Sequence, residues 1–404
     1  MSTTLLYRRF GIRGYKYLKA RYEKGATVFY AVQKADTLRC GNCGSQDVMR
    51  KGRVTRRFRA LPIGGNTVKV EVPIQRVKCR NCGVIRQVEI GFADERRTYT
   101  KAFERYALDL SRRMTILDAA RHLNVSWDVV KDIQSRYLKR RFSRPRLKDL
   151  RLIAIDEITV GKGHRYLTNV LDLETGAVVF VGDGKGADAL EPFWKRLRHS
   201  GAKIEAVAID MSRAYVAAVS EHLPDAQIIF DRFHIVKLYN ERLSDFRADL
   251  YREAKDVLQK QVLEGSKWLI LKNPENLEEK RNERERLEEA LSLNKSLAVA
   301  YYMKEDLRQI WEQKDKASAE KFLKDWAARA SVSGIRFLQK FVKILLGYRS
   351  GILAWYDYPI STGPLEGINN KINTMKRQAY GFRDMEFFKL KILGIHETRY
   401  ALVG

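Results

Sequence analysis

The sequence contains no run of eighteen apolar residues, and so it offers no transmembrane helix. Its N-terminal segment has no apolar core of the kind that a signal peptide needs, which predicts a cytosolic protein. Cysteine is scarce as well, since there are four and all of them fall in two CxxC pairs. Disulfides are rare in the cytosol, and metal binding therefore explains these pairs better than disulfide bonding.

Acidic residues are too few to balance the basic ones. The 404 residues include 76 Lys and Arg but only 49 Asp and Glu, for a net charge of +27. Such an excess indicates a polyanionic partner, with nucleic acid as the first candidate and an anionic membrane surface as the second. The length allows two to four domains, each with a core of its own.

Each CxxC pair has the form of a zinc knuckle, because a glycine follows its second cysteine and lets the backbone turn tightly around a metal. Between the pairs, Gly64-Gly65-Asn66 separates two strand-like runs and predicts a hairpin that closes the wide spacing. Reduced surface thiols and redox chemistry are the alternatives. We predict a structural Zn²⁺ on four thiolates: Cys40, Cys43, Cys79 and Cys82.

Residues 100–141 follow a helical pattern with one interruption. Thr115 has the side chain of a helix N-cap, Asn124 suits a tight turn, and Ser126 suits the cap of a second helix. Helix, short turn and helix in a basic protein predict a helix-turn-helix, with an ordinary packed helical pair as the alternative. The solvent face of the second helix is predicted to bind DNA through four side chains: Trp127, Lys131, Gln134 and Ser135.

Residues 151–235 alternate strands and helices, and two of their apolar strands end in aspartate, at Asp156 and Asp210. The order of strands, hairpins and helices predicts an α/β, ribonuclease-H-like sheet in which the first and fourth strands are adjacent. We expect both aspartates at strand ends, where ligands bind in such sheets. Side by side, two carboxylates repel each other unless a cation lies between them.

A third acid, Glu366, opens a predicted helix whose first position suits Pro364. An apolar stripe would pack this helix on the sheet, while Glu366, which shares the other face with Asn369, would point toward the aspartates. The alternative for Glu366 is a first-turn acid that only favours the helix dipole. Two residues of the same helix, Asn370 and Arg377, are predicted to contact DNA.

Together these motifs resemble the DDE transposases of bacterial insertion sequences, of the ISL-three type. The resemblance rests on the paired CxxCG knuckles, the helix-turn-helix, and the segments IAIDEITVGKG, VAIDMSRAY, FDRFHIVK and TGPLEGINNKINTMKRQAYGFRD. It implies a ribonuclease-H-like core interrupted by an all-helical insertion, with Asp156, Asp210 and Glu366 as the catalytic, metal-binding triad. Asp231 is the rival ligand, whereas His164 and His234 are interpreted as core or phosphate-contacting residues.

The function that follows is transposition: binding the terminal inverted repeats of an insertion sequence, cleaving the DNA and joining its ends to target DNA. Two Mg²⁺ ions per active site, with Mn²⁺ as a substitute, would support this phosphoryl transfer. We expect a homodimer or higher oligomer on double-stranded DNA, in the bacterial cytoplasm and associated with the nucleoid. A metal-dependent endonuclease without joining activity and a non-catalytic DNA-binding regulator are the alternatives.

The sequence predicts four modules. Residues 1–95 form a zinc-binding domain and residues 96–145 the helix-turn-helix domain. Residues 146–239 and 346–404 together form the catalytic domain. Residues 240–345 contain no convincing strand, and their length is too great for a loop inside a compact domain, which predicts a helical insertion.

Overall fold

The computed structural model describes residues 3–161 and 165–397, and His164 lies outside them. The described residues form ten strands: β1 (Tyr15–Glu23), β2 (Ala26–Gln33), β3 (Val48–Ile63), β4 (Asn66–Cys79), β5 (Ile85–Gln87), β6 (Leu152–Gly161), β7 (Arg165–Asp172), β8 (Val178–Asp183), β9 (Ala206–Ile209) and β10 (Gln227–Phe230).

The same residues form fifteen α-helices: α1 (Thr3–Phe10), α2 (Lys101–Ser111), α3 (Ile116–Leu123), α4 (Trp127–Phe142), α5 (Glu191–Arg198), α6 (Arg213–His222), α7 (Arg232–Glu253), α8 (Val257–Gly265), α9 (Glu283–Leu293), α10 (Lys295–Arg308), α11 (Lys316–Val332), α12 (Arg336–Gly347), α13 (Arg349–Leu353), α14 (Gly363–Gln378) and α15 (Met385–Leu393). None of these described helices is long and apolar enough to cross a bilayer.

The chain divides into two compact units. The first contains the described residues up to Ser143 together with those from Lys371 onward, and the second runs from Arg144 to Asn370. The boundary falls inside α14, whose first half belongs to the second unit. The four functional modules predicted above divide the chain differently, and their boundaries stay a prediction.

In the first unit, a sheet of order β1-β2-β4-β3 is built on the predicted hairpin, with β5 also pairing with β4. Alternating buried residues of β4, including Val68, Val70 and Val72, form its core with Phe58 of β3. Strand β3 lies at the edge of the sheet. Its register with β4 shifts between Arg50 and Arg53, where Gly52 adopts a φ of 117°.

Helices α2, α3 and α4 form a separate core in the same unit, around Phe103, Leu123 and Ile133. The Thr115 hydroxyl accepts a hydrogen bond from the Asp118 N–H and caps α3, as predicted. Asn124 takes the left-handed conformation, φ 50°, between α3 and α4. The predicted helix-turn-helix is therefore confirmed.

In the second unit, a five-stranded sheet has the order β10-β9-β6-β7-β8. Strands β6, β7 and β8 are antiparallel neighbours, whereas β9 is parallel to β6 and β10 is parallel to β9. This is the strand order of a ribonuclease-H-like sheet, and the first and fourth strands are adjacent as predicted. From Arg232 to Leu353, all of which the structure describes, the chain forms helices and loops.

The position of Asp156 differs from the prediction, because it lies within β6 rather than at its end. Strand β6 continues to Gly161 since it pairs with β7 beyond that point, from Glu157↔Thr168 onward. On its other side, β6 pairs with β9 only as far as Ala154↔Ala208. Asp156 therefore extends past the end of the neighbouring parallel pairing, which keeps its side chain partly accessible.

Candidate functional site

The four cysteines come together where the β3–β4 hairpin starts and ends. Their sulfurs all lie within 4.8 Å of one another, and the Sγ atoms of Cys40 and Cys82, like those of Cys43 and Cys79, are 3.6 Å apart. In a tetrahedral site with Zn–S bonds of about 2.3 Å, the sulfurs would be separated by roughly 3.8 Å. The four thiols therefore fit a closed, structural zinc site.

The backbone around the cysteines is arranged as two matching knuckles. The Asn42 N–H lies 3.4 Å from the Cys40 sulfur, and the Cys82 N–H lies 3.5 Å from the Cys79 sulfur. Gly44 and Gly83, which follow the pairs, have φ values of 72° and 71° that glycine adopts without strain. Backbone N–H groups, those of Cys43 and Asn42 first, lower the pKa of Cys40 to about 6 and so favour the thiolate that binds metal.

Asp156 and Asp210 lie close enough to influence each other. Burial is the main cause that raises the pKa of Asp156, and the negative charge of Asp210 raises it further. The Glu157 backbone N–H is the main opposing influence on this shift, and His234 lies within electrostatic reach of Asp156. Asp210 is held in turn by the Ser212 N–H, 2.9 Å from its Oδ1.

Helix α14 reaches the same carboxylate through Asn369. The Asn369 Nδ2 donates a hydrogen bond of 2.8 Å to the Asp156 Oδ2, and its Oδ1 accepts one of 3.2 Å from the Asn169 Nδ2. Asn369 is 8% exposed, because this part of the polar face of the helix packs against strands β6 and β7.

Glu366 lies in the first turn of α14 and is exposed. Its N–H donates a 2.9 Å hydrogen bond to the Thr362 carbonyl, and Asn369 follows it by three residues, on a neighbouring part of the helix surface. Of the His, Cys, Asp and Glu side chains that the structure describes, only the four cysteines bring three or more ligand atoms within 4.8 Å of one another. Asp156 and Asp210 are thus within electrostatic reach of each other, and the carboxylates that the structure describes form no closed cluster of this kind.

Asp231 is buried, and its carboxylate accepts hydrogen bonds from other parts of the protein. Its Oδ1 accepts the Phe233 N–H at 2.8 Å, which caps α7, and its Oδ2 accepts the Thr362 N–H at 2.7 Å and the Thr362 hydroxyl at 2.5 Å. Both oxygens are therefore engaged by the protein. Asp231 joins the start of the helical region to the residues just ahead of Glu366, which favours a structural role over that of a rival ligand.

Comparison with known families covers most of the chain. Residues 153–392 match a family model described as "Transposase", residues 88–138 the "Helix-turn-helix domain of transposase family ISL3", and residues 36–82 the "zinc-finger of transposase IS204/IS1001/IS1096/IS1165". The chain belongs to the ISL3 family of insertion-sequence DDE transposases. Its zinc ribbon, helix-turn-helix and ribonuclease-H-like core follow in the order that the sequence predicted.

Individual relatives agree with this assignment of family. The chain is 33% identical, over 90% of both chains, to the transposase for insertion sequence element IS1001 of Bordetella parapertussis. It is 27% identical, over 94% of this chain and 91% of the relative, to the transposase for element IS1557 of Mycobacterium tuberculosis. The solved Drosophila P element transposase strand transfer complex is similar at a TM-score of 0.35 and 12% identity, over 63% of this chain and 78% of that one.

The second helix of this transposase's helix-turn-helix, α4, exposes only part of the predicted DNA-binding face. Trp127 is 49% exposed and Ser135 is partly exposed. Lys131 forms an ion pair with Asp384, 2.8 Å away, and its Nζ lies 5.4 Å from the centre of the Trp127 ring. On α14, Asn370 and Arg377 are both exposed.

Gln134 is the exception among the predicted DNA-binding residues. It is 4% exposed, and its Nε2 donates a 3.4 Å hydrogen bond to the Ser111 carbonyl at the end of α2. The prediction that it lies on the solvent face is wrong, because α2 covers this side of α4. Periodicity within α4 could not show which neighbouring helix lies against that side.

Proposed function

We propose that Asp156, Asp210 and Glu366 hold the divalent cations, Mg²⁺ or in its place Mn²⁺, with which this ISL3-family transposase cleaves and joins DNA. The observation that supports the proposal most directly is the hydrogen bond from Asn369 to Asp156. It fixes α14 against β6, and Glu366 precedes Asn369 by less than one turn of that helix. This contact supports the proposal that the carboxylates of three separate elements act together in one site.

The chemistry of these side chains fits hard divalent cations. Carboxylate oxygens are the ligands that Mg²⁺ and Mn²⁺ prefer. Burial and the charge of Asp210 both disfavour the ionised form of Asp156, and a cation between the two carboxylates would remove that penalty. When bound, such cations polarise the scissile phosphodiester and activate the attacking hydroxyl.

Within this arrangement, the protein's own residues act by positioning. Asp156 is fixed by Asn369, Asp210 by the Ser212 N–H, and Glu366 by the helical turn that starts at Thr362. Phosphoryl transfer requires little covalent chemistry from the protein, so that correct placement and charge are its main contributions. A serine or tyrosine nucleophile is therefore unnecessary.

The triad is tested by Asp156→Asn, Asp210→Asn and Glu366→Gln, assayed for cleavage and joining of DNA that carries the element's ends. Each variant should lose both reactions and still bind the ends, because the substitution keeps the shape of the side chain and removes its charge. Glu157→Gln, next to Asp156 in the chain, is the matched control and should stay active. An active triad variant would remove that residue from the site, and cleavage without any joined product would favour a nuclease.

Recognition of the terminal inverted repeats is proposed for the zinc-binding and helix-turn-helix domains, residues 1–95 and 96–145. Trp127, Lys131 and Ser135 of α4 are the proposed contacts with the ends, and Asn370 and Arg377 those with DNA near the catalytic site. The net charge of +27 supports extensive contact with phosphates, so that binding should weaken steeply as salt rises. In this proposal residues 146–239 and 346–404 carry out catalysis.

Joining two DNA ends requires two active sites held in a fixed relation, and we therefore propose a homodimer or a higher oligomer on DNA. The helical insertion, residues 240–345, is the proposed source of the contacts between subunits. Its surface is densely charged along residues 276–290, which suits the polar rim of an interface rather than its core. Light scattering of the full-length protein with paired ends should give at least two chains per complex, and a single chain would refute the proposal.

A further inference from the structure

Three side chains from three elements form a chain of hydrogen bonds that ends on Asp156. Asn169 lies on β7 directly opposite Asp156 on β6, so that both side chains are on the same face of the sheet. The Asn169 Nδ2 donates to the Asn369 Oδ1 at 3.2 Å, and the Asn369 Nδ2 donates to the Asp156 Oδ2 at 2.8 Å. Asn169 is fully buried and Asn369 nearly so.

The donors and acceptors of these hydrogen bonds can be assigned in only one order. A side-chain amide donates from its nitrogen and accepts at its oxygen. Because Asn169 occupies the oxygen of Asn369, the NH₂ group of Asn369 is turned toward Asp156. A carboxylate oxygen can accept this hydrogen bond, and the orientation of the Asp156 carboxylate is set by it.

A purely structural role would not need this arrangement. Burying two amides between a helix and a sheet carries a desolvation cost that apolar side chains of similar size would avoid. The hydrogen bonds from Asn169 to Asn369 and from Asn369 to Asp156 offset part of this cost, although the Asn169 Oδ1 has no hydrogen-bond partner among the described residues, and they end on a carboxylate of the proposed cation site. Groups that orient a metal ligand in this way typically change metal affinity by about 10–100-fold when they are removed.

We infer that Asn369, held in place by Asn169, is a positioning residue that orients Asp156 toward the divalent cation. The inference rests on the proposed function, since it requires Asp156 to be a cation ligand. Neither asparagine touches the DNA or the cation in this role. Asn369 acts through Asp156, and Asn169 acts through Asn369.

The experiment measures Mn²⁺ binding to the full-length, zinc-loaded protein by electron paramagnetic resonance, beside thermal unfolding and binding to end DNA. Asn369→Ala should weaken Mn²⁺ binding by about 10–100-fold. Asn169→Ala should weaken it less, and the double variant should be no weaker than Asn369→Ala, since in this inference Asn169 acts on Asp156 through Asn369. End binding should be unchanged in all three variants.

Two controls separate the possible outcomes. Asn373→Ala, on the same helix, should leave Mn²⁺ affinity unchanged, and Asp156→Asn should abolish binding at this site. If Asp156→Asn abolishes Mn²⁺ binding but Asn369→Ala lowers only the melting temperature, the asparagines are structural and the inference is wrong while the proposed function stands. If Asp156→Asn leaves Mn²⁺ binding intact, the proposed function fails, and the inference fails with it.

Discussion

Replacing Asp231 by asparagine removes one of its two accepting oxygens, of which Oδ1 accepts the nearby Phe233 N–H and Oδ2 accepts from Thr362, 131 residues further along the chain. In the best orientation, the remaining oxygen keeps both Thr362 donors, and the new NH₂ group faces the Phe233 N–H. The helix cap of α7 is then lost, at about 1 kcal/mol, and a buried donor has no acceptor, at about 1–3 kcal/mol. The free energy of unfolding should therefore fall by roughly 2–4 kcal/mol.

Calorimetry of the full-length protein can measure this loss, because Asp231 and Thr362 belong to the same compact unit. For a unit of this size the melting temperature should fall by roughly 5–15 °C, with the other unit unaffected. Asp225→Asn, at an exposed position just ahead of β10, is the matched control and should leave both transitions unchanged. If Asp231→Asn melts like the parent protein, the carboxylate does not join the two ends of the helical region.

Three further predictions concern the first unit. Metal analysis should find one zinc in the parent chain and none after chelation or in Cys79→Ser. Calorimetry should then show that the β1–β5 sheet is unfolded, and a folded sheet without zinc would contradict this prediction. Burial lowers the pKa of Lys391 to about 7. The unfolded chain therefore binds this proton more tightly, and the free energy of unfolding should rise from about pH 7 to about pH 10. In thermal denaturation Lys391→Met should remove this rise, and a variant with the parent's pH profile would disprove the prediction. In fluorescence anisotropy, Trp127→Ala should weaken binding to end DNA more than to random duplex. Gln134→Ala should lower the melting temperature and leave the ratio of these two affinities unchanged. The reverse pattern would refute the conclusion that Trp127 contacts DNA and Gln134 does not.

Local patterns in the sequence were sufficient for the elements that have local causes. The glycine after each CxxC pair predicts the knuckles, the Gly64-Gly65-Asn66 break predicts the β3–β4 hairpin, and the apolar runs predict the strands of the second sheet. The capping side chain of Thr115 marks the start of α3 correctly as well. Each of these features depends on residues within a few positions of one another.

Contacts between distant residues could not be predicted in the same way. Asn169 and Asn369 are 200 residues apart, and helical periodicity gives no reason to separate Asn369 from Asn370. The length of β6 past Asp156 depends on its pairing with β7, and the burial of Gln134 depends on α2. In each case a neighbouring element, rather than the local pattern, determines the environment of the residue.

The edge strand β3 has a consequence for the solubility of this protein. An exposed strand edge offers unpaired N–H and C=O groups to other molecules and is a common starting point for aggregation. Strand β3 is 16 residues long, and in the described part of the sheet its outer side pairs with no other strand and forms only an isolated bridge between Arg59 and Tyr99. Arg50, Lys51 and Arg53 are exposed along it, beside the irregularity at Gly52. Repulsion between these basic side chains on two copies of the protein, together with the irregular backbone, opposes the addition of a strand from another molecule. Basic side chains that suit contact with a polyanion thus also protect this edge against edge-to-edge association.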